Sequence, residues 1–480
     1  MDENMCFASN ANNAWIFNGN NNGNLNYNNN RINAYSARVF RDFRLEEREC
    51  YENALLPLSV IYRWYMVARR GKRRSLVQLR FEADYPKNLR ILWSKLNGHE
   101  HYVPEPSRGF VLHYPTPREV IHPDYPDRIP QTIWCETIRP HVEKLLDQGS
   151  YSCRRGRGAL AAVRQLQEYY WEESRGGRYP CVFIRLDQKS FFLHIDRQLV
   201  VREFDKVIRQ AWAENPDWRD WMLWMCRILY LSEPREHMIR ECPVSDWELL
   251  PPHKVAANLP PGIGVDIGNL DAQLAGNFTS RLYLAVLRRL GYGRLVHYTD
   301  DTVLVLRLDR LEQFKAIAIP TLRREEAVLG LELNEKKTYI QRADHGICTF
   351  GYFIKAVGTD RMLTYPSKRV VNNMRYRLSF YIQNGGNVSF RYRHKEHLRD
   401  SLNSYFGMLR HCNAYRIRKR MATEILESDW SHVIEFTPDY TYCRIKERYT
   451  QRAYHTRQNR HLKQSIKRYI HEQTRESRGI

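Results

Sequence analysis

The sequence predicts an α+β protein, in which short strands and helices interleave without the regular alternation of a doubly wound parallel sheet. Three observations indicate this class. Residues 182–187 alternate with a period of two, which is typical of a strand, and the spacing turns helical after Ser190. Two further short strands, RLVHY and TVLVLRL, flank a turn at 299–301. A helical apolar stripe runs through 130–146, formed by Ile133, Trp134, Ile138, Val142 and Leu145.

The remaining segments are assigned in the same way. Residues 45–98 have a helical apolar spacing, and so does the stretch LEQFKAIAIPTLRREEAVLGLEL. LNEKKTYI and ICTFGYFIK are short strand pieces, and the basic, tyrosine-rich last 60 or so residues are predicted to be helical. The first segment differs, because Asn supplies 14 of the first 33 residues. Asn and Gly favour turns, so residues 1–44 are predicted to be irregular.

Composition and charge restrict the possible functions. The 480 residues suggest two to four folded units, and 43% hydrophobic with 12% aromatic residues is enough for packed cores. The chain has 75 Lys and Arg against 54 Asp and Glu, a net charge of +21. Like charges repel in a compact state, so this excess indicates a polyanionic partner. No apolar run approaches the roughly 18–20 residues of a spanning helix, which favours nucleic acid over a membrane.

The ten cysteines give no sign of a metal site or a disulfide framework. They are scattered from Cys6 to Cys443, with no CxxC pair and no His at zinc-ligand spacing. The N-terminus lacks the basic and apolar regions of a signal peptide. We therefore expect a cytoplasmic protein whose thiols are free and mostly buried.

Asp187, Asp300 and Asp301 are the candidate catalytic residues. Asp187 ends a mostly buried strand, where an unpaired charge is costly, and two adjacent acids in a tight turn repel each other. A divalent cation resolves both problems if the strands pair in one sheet. Oxygen ligands without His or Cys favour magnesium, and two Mg²⁺ ions would suit an in-line displacement at phosphorus.

A loop rich in arginine and glycine precedes this region. Arg154, Arg155 and Arg157 are separated by Gly156 and Gly158. Guanidinium groups on a flexible backbone are suited to phosphate binding. An exposed basic turn without a ligand explains the same residues equally well.

Taken together and in this order, these motifs resemble those of reverse transcriptases. YTDD looks like the YxDD box, RLDQKSFFLHID the first palm motif, and SYSCRRGRG the fingers motif that contacts the incoming triphosphate. GIGVDIGNLDAQLAGNF resembles the template-facing palm box, while LNEKKTYI and ICTFGYFI resemble the two motifs after the YxDD hairpin. SLNSYFGMLRHCNAYRIRKRM resembles the thumb. The resemblance implies a right-hand polymerase with fingers at 45–180, palm at 181–355, thumb at 356–422 and a basic extension at 423–480.

The resemblance also implies roles for individual residues. Asp187, Asp300 and Asp301 would bind the metal ions and catalyse, and Phe192 would exclude a ribonucleotide 2′-OH, so that deoxynucleotides are selected. The remaining implied contacts are the triphosphate (Arg154, Arg155 and Arg157), the leaving group (Lys336 or Lys337) and the primer grip (Phe350, Gly351 and Tyr352).

One box points to a branch of the family, the reverse transcriptases of diversity-generating retroelements. These carry IGxxxSQ where most relatives carry QGxxxSP, and here Ile267, Gly268 and Gln273 match while Ala272 replaces the usual Ser. The resemblance implies error-prone copying of a template RNA into cDNA from dNTPs, with errors opposite template adenines. It also implies a small, basic, oligomeric accessory protein. The Asn-rich start resembles the translated repeat of such elements, since Asn codons begin with AA.

Two alternatives stay open. An antiphage defence reverse transcriptase, using a noncoding RNA or no template, is compatible with Ala272, Thr299 and the basic tail. A non-catalytic RNA-binding scaffold derived from a polymerase is the alternative of another class. It would not require three acids together with the aromatic residue at 192.

Overall fold

The computed structural model describes residues 50–70, 75–113, 117–233 and 236–449, together with a pair of two-residue strands, Met5–Cys6 (β1) and Ile16–Phe17 (β2). The rest of the Asn-rich start and residues 450–480 lie outside the described residues. Helices and mainly antiparallel strands are mixed throughout, which confirms the α+β class. The chain forms two compact units, each assembled from three separate stretches.

The first unit comprises residues 1–153, 188–291 and 317–334 and is mainly helical. Helices and strands are numbered along the whole chain, so the numbers within this unit are not consecutive. Its strands are β3 Arg108–Leu112, β4 Arg118–His122 and β6 Ile239–Arg240. They form the one three-stranded sheet of this unit within the described ranges, in which β3 pairs antiparallel with β4 and parallel with β6. The helices are α1 Leu58–Ala68, α2 Leu76–Ala83, α3 Tyr85–Leu96, α4 Tyr125–Glu143, α6 Phe191–His194, α7 Arg197–Ala211, α8 Pro216–Leu231, α9 Leu270–Arg289 and α10 Ile319–Val328.

Helix α4 forms the centre of this unit's core. Ile133, Trp134, Ile138 and Val142 are buried, as the sequence predicts, and the Trp134 indole donates a 2.9 Å hydrogen bond to the Met222 carbonyl. The prediction for Leu145 is wrong, because the helix ends at Glu143 and leaves Leu145 48% exposed.

One further prediction, on the segment that follows Leu311, needs correction. The helix predicted after Leu311 is interrupted, since Leu311–Gln313 is followed by a π-helical turn, Phe314–Ala318, before α10. Asp196 caps α7 by accepting hydrogen bonds from the Gln198 and Leu199 amides. Such a cap satisfies amide groups that the helix leaves without partners.

The second unit comprises residues 154–187, 292–316 and 335–480. Its strands are β5 Cys181–Asp187, β7 Leu295–Tyr298, β8 Asp301–Arg307, β9 Tyr339–Arg342, β10 Ile347–Thr349, β11 Tyr352–Val357 and β12 Arg361–Pro366. They form a four-stranded antiparallel sheet in the order β7-β8-β5-β9 and a second sheet in the order β10-β11-β12. These bounds confirm the predicted strands at 182–187, in RLVHY and TVLVLRL, and in the two later segments.

Helices precede and follow the two sheets of this unit in the sequence. Helix α5, Ala159–Glu173, packs on the four-stranded sheet, where the rings of Tyr170 and Phe183 are 6.5 Å apart. The C-terminal helices are α11 Lys368–Asn384, α12 Val388–Leu409 and α13 Tyr415–Leu426. They surround Trp430, which is fully buried and donates a 2.7 Å hydrogen bond to the Tyr381 carbonyl.

The described part of the C-terminal extension, predicted to be helical, is helical only to the end of α13 at Leu426 and in two short 3-10 turns. After α13 the chain forms a short antiparallel pair, β13 Ile434–Phe436 and β14 Cys443–Ile445. Ile434 and Cys443 are buried in the same core as Trp430. This apolar burial explains why the segment forms a hairpin against the helices.

Two general expectations from the sequence, on the cysteines and on membrane-spanning helices, can be compared with the structure. The nine cysteines from Cys50 to Cys443 are free, but only four of them are buried, so the expectation that most are buried is wrong. None of the helices within the described ranges is long and apolar enough to cross a membrane.

Glu326 on α10 is a buried acid in the first unit. It is 1% exposed and accepts a 2.6 Å hydrogen bond from the Gln188 amide nitrogen. Burial raises the pKa of Glu326 to about 7. The oxygen of the same Gln188 amide is buried without a hydrogen-bond partner. Glu326 is therefore held as the neutral acid below neutral pH.

Glu326→Gln is expected to stabilise the protein above neutral pH. Because the pKa is higher in the fold than in the unfolded chain, the stability that Glu326 contributes is present below about pH 4.5 and is lost as pH rises through about 7. A neutral amide avoids this loss and can donate to the Gln188 oxygen. We expect the free energy of unfolding in urea to rise by about 1–3 kcal/mol at pH 8 and to match wild type near pH 5.

Glu325→Gln is the matched control, since Glu325 is 43% exposed and paired with Arg289. Equal behaviour of the two variants at pH 8 would contradict the assignment.

Candidate active site

The turn between β7 and β8 carries two of the three predicted catalytic acids. Tyr298 pairs with Asp301, so the loop has only two residues, Thr299 and Asp300. Thr299 has a φ of 63°, in the left-handed region that β-branched residues rarely adopt. Such a residue costs about 1–3 kcal/mol, and observed strain of this kind clusters at functional sites.

The sheet brings the third acid opposite this turn. β5 and β8 are antiparallel, and their register places Asp187 directly across from Asp301. The side chain of Asp187 is 2% exposed, and that of Asp301 is 17% exposed. The structure therefore brings together the three predicted acids, at one end of a single sheet.

The acids disturb one another's ionisation. Burial raises the pKa of Asp300, and the charge of Asp187 raises it further. Burial also raises the pKa of Asp301 to about 7, with Asp300 and Asp187 adding to the effect and Arg185 opposing it. A cation bound among the carboxylates would relieve both the desolvation and the repulsion.

Two basic side chains already contact the acids. Arg185 points its guanidinium at Asp301, with Nη2 2.8 Å from both carboxylate oxygens and Nε 3.0 Å from Oδ1. The same Nη2 lies 3.7 Å from Asp187. Lys337 Nζ lies 3.3 Å from Asp187 Oδ1, and both Lys337 and the neighbouring Lys336 are exposed.

The donor set suits a hard divalent cation, because it consists of carboxylate oxygens alone. Within the ranges that the structure describes, no three His, Cys, Asp or Glu side chains form a group ready to hold a metal ion. Arg185 and Lys337 occupy carboxylate lone pairs that a metal ion would use. A metal-bound arrangement would need these two side chains to move.

The predicted primer-grip residues form a second two-residue turn in the same unit. Thr349 pairs with Tyr352, and the loop residues Phe350 and Gly351 have φ values of 51° and 85°. This backbone is the one that favours Gly in tight hairpins. The ring of Phe350 lies 5.4 Å from that of Tyr298, so this turn contacts the YTDD turn directly.

The predicted phosphate loop precedes α5. Arg155 is exposed, and Arg154 and Arg157 are partly buried, immediately before the helix begins at Ala159. Helix N-termini favour anions, which is compatible with the predicted phosphate ligand.

Phe192 and the template-facing box belong to the first unit. Phe192 packs edge-on against Phe191, with ring centroids 5.3 Å apart. A Cβ at Gly276 on α9 would come within 3.0 Å of the Phe192 ring, so glycine makes room for it.

The box residues lie just before α9 and in its first turn. The Ile267 carbonyl accepts a 3.2 Å hydrogen bond from the Ile121 amide on β4. Gly268 has a φ of 118°, and a Cβ there would meet Val120 at 3.0 Å. Gln273 is exposed, and Ala272 is buried.

Three features of these candidate residues and their surroundings are not among the predictions from the sequence. Arg185 had a signal, since it lies two residues before Asp187 on a strand and so shares its face. Gly276 had none, because no helix is predicted from the sequence at 270–289. The third is a buried hydrogen bond across the β7–β8 hairpin, 2.9 Å between His297 and Thr302, for which strand register had to be known.

Comparison with known proteins gives structural matches only. No protein-family model and no curated protein sequence matches the chain. Among solved structures, telomerase from Candida albicans in complex with a fragment of telomeric RNA matches with a TM-score of 0.39 and 11% identity, over 67% of this chain and 55% of that one. Apo telomerase from Candida tropicalis matches with a TM-score of 0.39 and 8% identity, over 54% and 55%. The chain thus spans about half the length of these proteins.

Proposed function

We propose that the protein is an RNA-directed DNA polymerase, and that Asp187, Asp300 and Asp301 are its catalytic acids. The observation that carries this proposal is the pairing of Asp187 with Asp301, next to the strained turn that holds Asp300. Three mutually repelling carboxylates are costly for the fold, and a site for Mg²⁺ accounts for them.

In this proposal each part of the site has a distinct task. Asp187, Asp300 and Asp301 would hold two Mg²⁺ ions, which would supply charge stabilisation for nucleotidyl transfer. Lys337, which contacts Asp187, would act near the leaving group. Phe350 and Gly351 support the primer end, and the arginines at 154, 155 and 157 bind the triphosphate.

The aromatic residue at 192 supports DNA as the product. Phe192, five residues after Asp187, would occupy the space of a ribonucleotide 2′-OH. Gly276 leaves the ring room to adopt that position.

The finer proposal is a retroelement enzyme that makes error-prone cDNA from a template-repeat RNA. It rests on the match of Ile267, Gly268 and Gln273 to the branch-specific box. An apolar residue at 267 would hold the incoming nucleotide less selectively than the glutamine of most relatives. An accessory protein that is itself basic would join through the shared RNA. The defence enzyme remains the alternative, and gene neighbourhood distinguishes the two.

A basic and aromatic surface on α11 and α12 supports binding of nucleic acid. Between residues 368 and 394 the chain has six Lys or Arg, five of them exposed, and no Asp or Glu. Tyr376 is 70% exposed, Phe380 53% and Tyr392 50%. Exposed rings among cations are suited to base stacking beside a phosphate backbone.

Asp300→Asn/Asp301→Asn is expected to abolish DNA synthesis. The substitution removes two of three charged oxygen donors, and activity with Mg²⁺, dNTPs and co-expressed flanking RNA should fall by roughly a thousandfold or more. Asp309→Asn is the matched control, because Asp309 lies just after β8, exposed and paired with Arg307. Equal activity of wild type and the double variant would refute the polymerase proposal.

Phe192→Ala is expected to admit ribonucleotides. Removing the ring opens space for a 2′-OH, so the preference for dNTP over rNTP should fall by about 10–100-fold in single-nucleotide extension. Phe192→Tyr keeps the ring and should keep the preference. An unchanged preference in Phe192→Ala would show that the ring has no gating role.

Tyr376→Ala/Phe380→Ala is expected to weaken template binding without unfolding the protein. Loss of base stacking at two exposed rings should raise the Kd for flanking RNA by about tenfold or more. Tyr442→Ala is the control, since Tyr442 is 50% exposed and lies in the β13–β14 hairpin loop. RNA binding that is equal for all three proteins would exclude this surface.

A further inference from the structure

Arg185 has an unusual position within the acidic site. It lies on β5 two residues before Asp187, paired with Val303 on β8 and Tyr339 on β9, so it stands in the middle of the sheet. Its side chain is 21% exposed and makes three short contacts with Asp301. Both oxygens of Asp301 are therefore held by a planar, permanently charged group.

The guanidinium has a second partner away from the acids. Nη1 of Arg185 lies 3.4 Å from the carbonyl oxygen of Cys348, on β10. The same carbonyl accepts a 3.3 Å hydrogen bond from the Tyr339 hydroxyl. A guanidinium displaced from Asp301 thus has a carbonyl oxygen already within reach.

The charges of the three acids and the two basic side chains determine which base competes most strongly with a metal ion. When all three carboxylates are ionised they carry a charge of −3, and Arg185 and Lys337 contribute +2. Lys337 is 58% exposed, so water screens it, while Arg185 is mostly enclosed. Arg185 is therefore the stronger internal counter-ion, and it competes for the oxygens of Asp301 that a metal ion would need.

We propose that Arg185 is an internal counter-ion that sets the affinity of the acidic site for divalent cations. Without metal it binds Asp301 and keeps the turn folded despite the repulsion among the acids. On metal binding it releases Asp301 and keeps its bond to the Cys348 carbonyl. This inference rests on the proposed metal site, and Arg185 is a positioning residue that acts through Asp301.

Binding of Mn²⁺ to the full-length protein, followed by electron paramagnetic resonance of the free ion, tests the proposal. Arg185→Gln removes the competing charge, so the Kd for Mn²⁺ should fall by about five- to tenfold. Arg185→Lys keeps a charge without the planar fork and should lower the Kd by about two- to threefold. Arg342→Gln is the control, since Arg342 lies on β9 and pairs with the exposed Asp344, and its Kd should equal that of wild type.

The possible outcomes distinguish the counter-ion role of Arg185 from the existence of the metal site. An unchanged or higher Kd in both Arg185 variants, with binding lost in Asp300→Asn/Asp301→Asn, overturns the counter-ion role and leaves the metal site intact. Mn²⁺ binding that survives in the double variant overturns both claims. If Arg185→Gln does not fold, as judged by its thermal transition, the Kd of Arg185→Lys decides the question.

Discussion

The constraint on which the site depends is the repulsion among three carboxylates at one end of a small antiparallel sheet. The register of β5 and β8 places Asp187 opposite Asp301, and the two-residue turn keeps Asp300 next to them. Burial increases the repulsion by removing the water that would screen it. The fold must supply positive charge at this point or hold some of the acids protonated, and Arg185 and Lys337 supply part of that charge.

The rest of the second unit stabilises this arrangement. The His297–Thr302 hydrogen bond crosses the hairpin beneath the turn, so strain at Thr299 is held by the strands on either side. The ring of Tyr298 contacts that of Phe350, which joins the acidic turn to the turn predicted to support a primer. Two tight turns with left-handed residues in contact make a rigid base, suited to a reaction that depends on the positions of a few oxygen atoms.

Much of this could be predicted from the sequence, for identifiable reasons. Strand alternation located Asp187 and the hairpin, because a period of two survives in short buried strands. Leu145 was assigned wrongly because periodicity does not show where a helix stops. The β13–β14 pair was missed because a basic, tyrosine-rich composition hid two short strands whose burial depends on Trp430. The contact of Arg185 with Asp301 and the space that Gly276 leaves for Phe192 join distant segments, and a single sequence does not show such contacts.

The central claim is that these acids form a divalent-metal site, and anomalous scattering from crystals soaked in Mn²⁺ tests it most directly. Our account predicts anomalous peaks within about 2.0–2.6 Å of the carboxylate oxygens of Asp187, Asp300 and Asp301, the distances of hard cations to oxygen. The Arg185 guanidinium should then be turned from Asp301 toward the Cys348 carbonyl. Peaks found only elsewhere, with Arg185 still paired to Asp301, would contradict the account.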